Sequence, residues 1–223
     1  MLPSSTVENY LKAIYQAQTG LGDPKRFVPM GQLAQALGVV PGTATTMVKT
    51  LADSGLVTYE PYVGVRLSHA GEKLAAAVLR RHRLIEQFLV QVMGMNWTEV
   101  HEEAELLEHA VSDRLIERMD AMLGRPAVDP HGDPIPDPEG GVAHHDYQTL
   151  LTCPLNTPVV VTRVIDQDAE FLRFLELHDL KPGQAIEVEA RDPAADAVRL
   201  RHKESHITIG TRAASKLLIE VAG

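Results

Sequence analysis

PGTATTMVKTLADSGLVTYEPYVGVRLS, residues 41–68, contains a helical pattern followed by two short strand patterns. Pro41 suits the first turn of a helix. Apolar residues then recur at the spacing of one helix face, at Ala44, Met47, Val48 and Leu51. Ser54-Gly55 ends this pattern, and residues 56–60 and 65–68 resemble strands joined by a tight turn. The order predicts a helix followed by the hairpin wing of a winged helix-turn-helix.

Two further helices are predicted upstream of this stretch. Ser5 to Glu8 forms a capping-box pattern, and the apolar residues that follow have helical spacing as far as Tyr15. A short second helix is expected near residues 30–37, where Gly38 stops it. Two short helices across a tight turn form the helix-turn-helix unit.

The outward face of the third helix predicts a DNA-reading surface. Hydroxyl groups can bond to base edges or phosphates, and a lysine can bind a phosphate. The residues expected to contact DNA here are Pro41, Gly42, Thr43, Thr45, Thr46 and Lys49. On the wing, Tyr62 and Arg66 are expected to touch the DNA backbone, although such residues on a hairpin are as often merely exposed. The alternative for the whole segment is a three-helix core element without a DNA role.

The charge of the chain is unevenly distributed. A net charge of −9 would by itself argue against nucleic-acid binding. Residues 1–70, however, contain five Lys or Arg residues and four acidic residues, and the remainder contains 16 and 26. The acidic excess therefore lies outside the predicted DNA-binding region, and 223 residues suffice for two or three small domains.

The single cysteine suggests a reducing compartment, and the hydropathy of the chain suggests that it is neither exported nor inserted in a membrane. Cys153 is the only cysteine, so neither an internal disulfide nor a thiolate-rich metal site is expected. No uninterrupted apolar run of about 18 residues occurs, and the first residues lack a signal-peptide pattern. We therefore expect a cytoplasmic protein without a membrane partner.

Histidines and glutamates are concentrated in the middle third. Residues 69–94 and then 98–123 have helical patterns, and at about 100° per residue positions 101, 105, 108 and 109 share one arc of the second helix. That arc borders an apolar stripe, and the preceding helix has a matching i, i+4 pair. The pattern predicts divalent-cation binding by His82, Glu86, His101, Glu105, Glu108 and His109. The alternative is a solvated charged face.

Enzyme motifs do not explain these residues. His101 is followed by Glu102 but has no second histidine at the spacing of a zinc protease. Paired Glu-x-x-His motifs of the di-iron bundle type are also missing. No other nucleophile or base is apparent, so we do not expect an enzyme.

Residues 5–140 resemble the diphtheria-toxin-repressor family of iron- and manganese-dependent transcriptional regulators. The matching stretches are residues 8–15, the helix-turn-helix with 54–57, and the segments 81–86, 100–109 and 131–136. The resemblance implies a homodimer that binds operator DNA when loaded with metal and controls metal-transport genes. It also implies two neighbouring metal sites, one with Glu105, Glu108, His109 and a first-helix residue, the other with His82, Glu86 and His101.

The resemblance also bears on the metal. Iron-responsive members have Cys where this chain has Glu105, and a carboxylate suits Mn²⁺. The sequence therefore favours the manganese-responsive branch and Mn²⁺, with Fe²⁺ as the alternative and Zn²⁺, Co²⁺ or Cd²⁺ as ions that can occupy the sites in vitro. Asn9 stands at the expected first-helix ligand position, where Asp or Met is usual, and Lys12 stands where some manganese members have Glu.

The last third predicts a separate β domain. Prolines and glycines make residues 124–145 an irregular connector, and five short strand patterns with one helix follow. This spacing resembles the SH3-like domain that many of these regulators append, which is similar to a domain of ferrous-iron-transport accessory proteins. In the family that domain can lend a ligand, for which Asp166 is the candidate, ahead of Gln167 and Asp168. His144, His145, His178, His202 and His206 have no ligand spacing.

The predicted fold is mainly α with an α+β C-terminal part. Its domains are a winged helix-turn-helix at 1–70, a helical metal-binding and dimerisation domain with its connector at 71–145, and an SH3-like small β-barrel at 146–223. The alternative function is a metal-binding protein or metalloenzyme that keeps this fold without metal-regulated DNA binding.

Overall fold

The computed structural model describes residues 4–20, 26–142 and 147–221. It contains two compact units. The first comprises residues 1–82 and 136–142, and the second comprises residues 83–135 and 143–223. The division falls inside one long helix, directly after His82. The three-domain division stays a prediction, and its boundary at residues 145 and 146 lies outside the described residues.

The first unit contains the predicted winged helix-turn-helix. Its helices are α1 (Ser5–Gly20), α2 (Met30–Ala36), α3 (Pro41–Asp53) and the first part of α4 (His69–Gln91), and its strands are β1 (Val57–Glu60) and β2 (Gly64–Leu67). Helix α1 begins directly after Ser4, whose hydroxyl accepts a hydrogen bond from the Val7 amide at 3.4 Å. Ser4, and not the expected Ser5, therefore caps this helix.

The wing is fixed to the helices by hydrogen bonds as well as by apolar packing. Strands β1 and β2 pair antiparallel, and Val28 adds a third backbone segment through bonds of 2.7 and 3.0 Å with Val65. The Gln18 side chain of α1 accepts a buried hydrogen bond of 3.0 Å from the Leu67 amide. The hairpin is thus held to α1 at its base, while Tyr62 at its tip is fully exposed.

The second unit begins with the remainder of α4, followed by α5 (Val100–Leu107) and α6 (Asp113–Met122). The prediction of one helix over residues 98–123 is wrong. Residues 108–112 form a turn, and the Ser112 hydroxyl caps α6 by accepting from the Leu115 amide at 3.4 Å. Because α5 ends before this turn, Leu115 does not continue the buried stripe of Val100 and Ala104 and is 47% exposed.

Residues 147–221 form a domain that we call the sheet domain. Its elements are β3 (Gln148–Thr149), β4 (Pro158–Val164), α7 (Ala169–Leu177), β5 (Ala185–Asp192), β6 (Ala197–His202), β7 (Ser205–Gly210), α8 (Thr211–Ala214) and β8 (Leu217–Val221). The strands are antiparallel in the order β3-β8-β4-β5-β6-β7. Trp97, from the segment before α5, packs in the core of this domain and donates its indole N–H to Glu176. Among the described residues, none of the helices is long and apolar enough to cross a membrane.

The contact between α4 and Leu56, the residue before β1, leaves no room for a side chain at Gly71. A Cβ atom there would lie 2.0 Å from the Leu56 carbonyl oxygen. We expect Gly71→Ala to lower the free energy of unfolding by about 1–3 kcal/mol, the usual cost of overpacking. Urea denaturation monitored by circular dichroism measures this change.

Gly31→Ala on α2 is the matched control. A Cβ atom at Gly31 would have no neighbour within 4 Å, and the position is exposed. Alanine in a helix is favoured over glycine by about 0.5–1 kcal/mol, so this variant should be at least as stable as the parent. Equal stability of the two variants would contradict the described packing.

Candidate metal centre

Glu86 is the central residue of the candidate metal centre. It follows Ile85 on α4, and Leu84, Ile85 and Leu89 on the same helix pack into the apolar core of the second unit. The Glu86 side chain is 0% exposed, so its carboxylate needs charged or hydrogen-bonding neighbours. One such neighbour is His101 on α5, whose Nδ1 lies 3.2 Å from Glu86 Oε1.

Glu105, Glu108 and His109 form what we call the outer cluster. His101 Nε2 lies 3.7 Å from Glu105 Oε1, so His101 stands between this cluster and Glu86. Ligand atoms of Glu105 and Glu108 come within 4.8 Å of one another, and His109 Nε2 lies 3.4 Å from Glu108 Oε1. Glu108 and His109 belong to the turn after α5, where the Glu108 side chain is completely buried.

The structure adds two residues that sequence reasoning missed. Asp129 and His131 are buried in the Pro/Gly-rich connector, and together with Glu86 they offer ligand atoms within 4.8 Å of one another. We call these three residues the buried cluster. His131 Nδ1 lies 3.7 Å from Glu86 Oε2 and 4.0 Å from Asp129 Oδ1. The available signal was the sequence Asp-Pro-His-Gly-Asp, which places three ligand-type residues within residues 129–133.

In the buried cluster, His131 Nδ1 and Asp129 Oδ2 make no hydrogen bond to the described residues, although each lies within ion-pair distance of a charged neighbour. His131 Nε2 already bonds to the Trp97 carbonyl at 2.9 Å, so Nδ1 is the ring atom directed at the carboxylates. Asp129 Oδ1 accepts the backbone amides of His131 and Asp133 at 2.8 and 2.9 Å, and Oδ2 lies 3.8 Å from Arg83 Nε. A nitrogen of His131 and an oxygen of Asp129 therefore have electrostatic neighbours but no hydrogen bond.

Burial among other acids raises the proton affinity of Asp129. Burial, Asp133 and Glu86 raise the pKa of Asp129 to about 8, against the smaller effects of His131 and Arg83. Burial alone would lower the pKa of His131, but the neighbouring Glu86 and Asp129 raise it overall. A divalent cation bound among these atoms would compete with the proton that the raised pKa favours on Asp129, as metal binding to acidic ligands does.

The donor set fits a hard or borderline divalent cation. The described clusters contain only carboxylate oxygens and imidazole nitrogens, which suit Mn²⁺, Fe²⁺ and Zn²⁺. Cys153 is buried beside Arg191 in the sheet domain, 3.1 Å from its guanidinium, and it belongs to neither cluster.

Two predicted ligands, Asn9 and His82, belong to the first unit. Asn9 lies half-buried on α1, next to Glu8, whose carboxylate pairs with Arg81 of α4 at 3.2 Å. His82 is buried one helical turn before Glu86 on α4. Their participation as ligands stays a prediction.

Asp166 has other partners in this structure. Its carboxylate pairs with the Lys216 ammonium and also accepts the Asp168 amide at 3.0 Å. Burial would raise the pKa of Asp166, but Lys216 and the amide lower it overall. Asp168 caps α7, and Gln167 instead donates to Asp133 at 3.0 Å. Asp166 as a ligand therefore stays a prediction that requires its ion pair to open.

Among the described residues, His178, His202 and His206 belong to no group of three or more potential metal ligands. His202 is buried between Asp179 and the Ala185 carbonyl, and His206 pairs with Glu189 on the exposed sheet surface. His178 contacts Phe174 edge to face, with the ring centroids 4.7 Å apart. His144 and His145 lie outside the described residues. These contacts fit structural roles.

The predicted DNA-reading residues lie on exposed parts of α3 and the wing. Pro41, Gly42, Thr43, Thr46 and Lys49 are exposed, and Thr45 is half-buried. The Thr45 and Thr46 hydroxyls donate to carbonyls of their own helix at 2.9 and 3.0 Å. Because each hydroxyl has only one proton to donate, both can still accept hydrogen bonds from another molecule. Arg66 is half-buried with its guanidinium 5.0 Å from the Phe27 ring centre, whereas Tyr62 is fully exposed.

Three protein-family models match this chain in sequence. Residues 3–65 match the iron-dependent repressor N-terminal DNA-binding domain, and residues 68–137 match the iron-dependent repressor metal-binding and dimerisation domain. Residues 148–221 match the FeoA domain. The order of the three matches follows the predicted order of domains.

Individual relatives agree with the family models. The iron-dependent repressor IdeR of Mycobacterium tuberculosis is 29% identical over 90% of this chain and 94% of its own length. A manganese-dependent transcriptional repressor in complex with manganese is 36% identical, with a TM-score of 0.87 over 97% of this chain and 100% of that chain. The ScaR structure with bound Cd²⁺ is 31% identical, with a TM-score of 0.82 over 99% and 100% of the two chains.

Replacing Asp129 should separate a ligand role from a structural one. Asn keeps the oxygen that accepts two backbone amides but removes the ionisable oxygen next to Glu86 and Asp133. We expect Asp129→Asn to leave the thermal midpoint of the metal-free protein unchanged or higher and to reduce the rise in midpoint caused by Mn²⁺. Scanning calorimetry with and without Mn²⁺ measures both quantities.

Asp137→Asn is the matched control. Asp137 also accepts two backbone amides, from Glu139 and Gly141 at 3.0 and 2.7 Å, but it is exposed and belongs to neither cluster. Its substitution should leave the Mn²⁺ effect unchanged. An undiminished Mn²⁺ effect in Asp129→Asn would show that Asp129 is not a ligand.

Proposed function

The chain belongs to the iron-dependent repressor family, which includes the diphtheria toxin repressor, and we propose that it is a transcriptional repressor that binds operator DNA as a dimer when loaded with a divalent cation. Its target genes are expected to include those of metal transport. The observation that carries this proposal is the completely buried Glu86, surrounded by His101, Asp129 and His131, in the domain matched by the family's metal-binding model.

The proposed mechanism begins with repulsion between carboxylates. Glu86, Asp129 and Asp133 are buried close together, and Glu105 and Glu108 form a second acidic pair. Glu86 on α4, His101 on α5 and Asp129 in the connector would hold a divalent cation, whose positive charge would offset this repulsion and favour their close approach. Binding shifts the protein toward an arrangement only if the ion prefers it, so the metal-loaded arrangement must be the one that binds DNA.

Helix α4 supports a route from the metal to the DNA-binding domain. Its residue Arg81 pairs with Glu8 on α1, and five residues later Glu86 enters the buried cluster. Helix α1 is bonded to the wing through Gln18. A constraint on α4 at Glu86 therefore acts on the same helix that holds α1.

We propose Mn²⁺ as the activating ion, with Fe²⁺ as the second candidate. Glu105 supplies a carboxylate to the outer cluster, and no thiolate is present in either described cluster. Carboxylates favour Mn²⁺ relative to softer ions, whereas imidazoles accept Zn²⁺, Co²⁺ and Cd²⁺, so these ions can also occupy the sites in vitro.

On the DNA side, α3 is proposed as the recognition helix in the major groove. Its exposed Thr43, Thr46 and Lys49 offer hydrogen-bonding groups and one positive charge. A dimer would place two such helices one or more helical turns apart on a palindromic operator.

Helix α6 provides the proposed dimer surface. Leu115 and Met122 lie seven residues apart on one face of this helix, and they are 47% and 67% exposed. The helix lies within the part of the chain that matches the dimerisation model. Apolar side chains exposed on one helix face are typical of a surface that a second copy covers.

Metal-dependent DNA binding is tested by gel shift on DNA upstream of the protein's own gene and neighbouring transport genes. We expect a shift with Mn²⁺ that chelation reverses, and titrations with Fe²⁺ and Zn²⁺ rank the ions. Glu105→Ala and His109→Ala should each raise the Mn²⁺ concentration required by about tenfold or more, because each removes a ligand of the outer cluster.

Glu103→Ala and His206→Ala are the controls for these two variants. Glu103 is exposed on the same helix as Glu105, and His206 is exposed on the sheet domain. Both should respond to Mn²⁺ like the parent. If DNA binding is absent or indifferent to metal, the alternative of a metal-binding protein or metalloenzyme with this fold replaces the present proposal.

The dimer surface is tested by analytical ultracentrifugation. Introducing a charge at Leu115→Glu or Met122→Glu should weaken dimerisation by at least about tenfold, since a carboxylate would be buried without a partner. Leu177→Glu is the control, because Leu177 is 80% exposed at the end of α7 in the sheet domain. A dimer that tolerates both α6 substitutions would place the interface elsewhere.

A further inference from the structure

The loop of residues 128–134 supplies two of the three buried-cluster residues. The Asp129 amide bonds to the Asp133 carbonyl at 3.0 Å, and the Gly132 amide bonds to the Asp129 carbonyl at 3.1 Å. Asp129 Oδ1 closes the same loop by accepting the Asp133 amide. Any displacement of Asp133 is therefore transmitted directly to Asp129, and through the backbone to His131 between them.

This loop packs against strand β4 of the sheet domain. The His131 carbonyl accepts the Val164 amide at 2.8 Å. A Cβ atom at Gly132, where φ is +84°, would lie 1.9 Å from the Thr162 carbonyl oxygen, so the two backbones touch. Contact this close requires glycine at position 132.

Strand β4 is irregular at this contact. Val161 pairs with Ile219 and Arg163 pairs with Leu218, so Thr162 is an extra residue that forms a bulge. A bulge redirects the side chains that follow it. Here Val161 and Val164 remain buried in the sheet core, and the Arg163 side chain reaches the loop.

Asp133 is held from two positions of the sheet domain. Its Oδ1 pairs with the Arg163 guanidinium, and its Oδ2 accepts from the Gln167 side chain at 3.0 Å. Arg83 of α4 is a more distant neighbour, with Nη2 4.0 Å from Oδ1. Both carboxylate oxygens of Asp133 thus have partners in the sheet domain, although Asp133 itself is not part of the buried cluster.

We propose that Arg163 and Gln167 are positioning residues of the buried cluster, and that the sheet domain contributes to metal affinity by fixing the loop that presents Asp129 and His131. This inference rests on the proposed function, because it requires the buried cluster to bind metal. The sheet domain acts here through Asp133 and needs to lend no ligand. Residues that orient metal ligands typically change affinity by about 10–100-fold when removed.

The contrasting possibility is that Arg163 and Gln167 only attach the sheet domain to the helical part. In that case their loss would lower stability and leave metal affinity unchanged. Metal affinity and stability must therefore be measured separately on the same variants.

The experiment titrates the metal-free full-length chain with Mn²⁺ and follows the six-line electron paramagnetic resonance signal of free Mn²⁺. His131→Ala identifies the binding class that belongs to the buried cluster, and Glu105→Ala identifies the other. We expect Arg163→Ala and Gln167→Ala to weaken the His131-dependent class by about 10–100-fold and to leave the Glu105-dependent class unchanged. Arg163→Lys, which keeps the positive charge, should recover part of the loss.

Two further variants make the result specific. Arg199→Ala removes an exposed arginine of β6 that pairs with Glu189, and it should bind Mn²⁺ like the parent. In an Asp133→Asn background, Arg163→Ala should add little further loss, because the two residues act through one contact. If Arg163→Ala does not fold, Gln167→Ala provides the same readout with the ion pair intact.

The outcomes distinguish this inference from the proposed function. If His131→Ala removes a binding class but Arg163→Ala and Gln167→Ala lower only the thermal midpoint, the positioning role is wrong and the metal site stands. If His131→Ala leaves Mn²⁺ binding unchanged, the buried cluster is not a metal site and the inference falls with it.

Discussion

A carboxylate in the middle of an apolar helix face is the constraint on which the rest of the second unit depends. Glu86 is completely buried, and an isolated charge there would cost far more than the protein's stability allows. His101 from α5 and His131 from the connector supply its neighbours. The break after α5, the closed loop at 128–134 and the bulge in β4 each bring a polar group to this one buried acid or to the residues around it.

The sheet domain is integrated with the helical part of its unit. Trp97 of the helical part is buried in the sheet core, its indole N–H bonds to Glu176, and its carbonyl bonds to His131. Asp133 is in turn bonded to Arg163 and Gln167. Polar contacts with defined geometry, and not apolar packing alone, therefore fix the sheet domain relative to the loop. This arrangement gives a domain remote in sequence a physical connection to Glu86.

The sequence predicted what local patterns encode and missed what tertiary contacts create. Periodic apolar residues and Pro41 were sufficient for the winged helix, and the i, i+4 spacing of His82 and Glu86 was sufficient to suggest ligands. The same periodicity concealed the break at Ser112, because Val111 and Leu115 continued the pattern across it. Asp129 and His131 could not be assigned from their own segment, since only folding brings them to Glu86, more than 40 residues earlier. The Lys216 partner of Asp166 was hidden for the same reason.

The separation of Cys153 from the described clusters has a consequence for chemistry under oxidative stress. Peroxides convert exposed thiolates to sulfenic acids and disulfides, whereas carboxylates are inert to them and imidazoles react far more slowly. The one thiol is buried, and burial raises its pKa against the weaker lowering effect of Arg191, which disfavours the reactive thiolate. The proposed ligands contain no sulfur, so they would persist when the redox state of the surroundings changes. A sensor built from them would report how much cation is present and would be insulated from the oxidants that inactivate thiol-based switches.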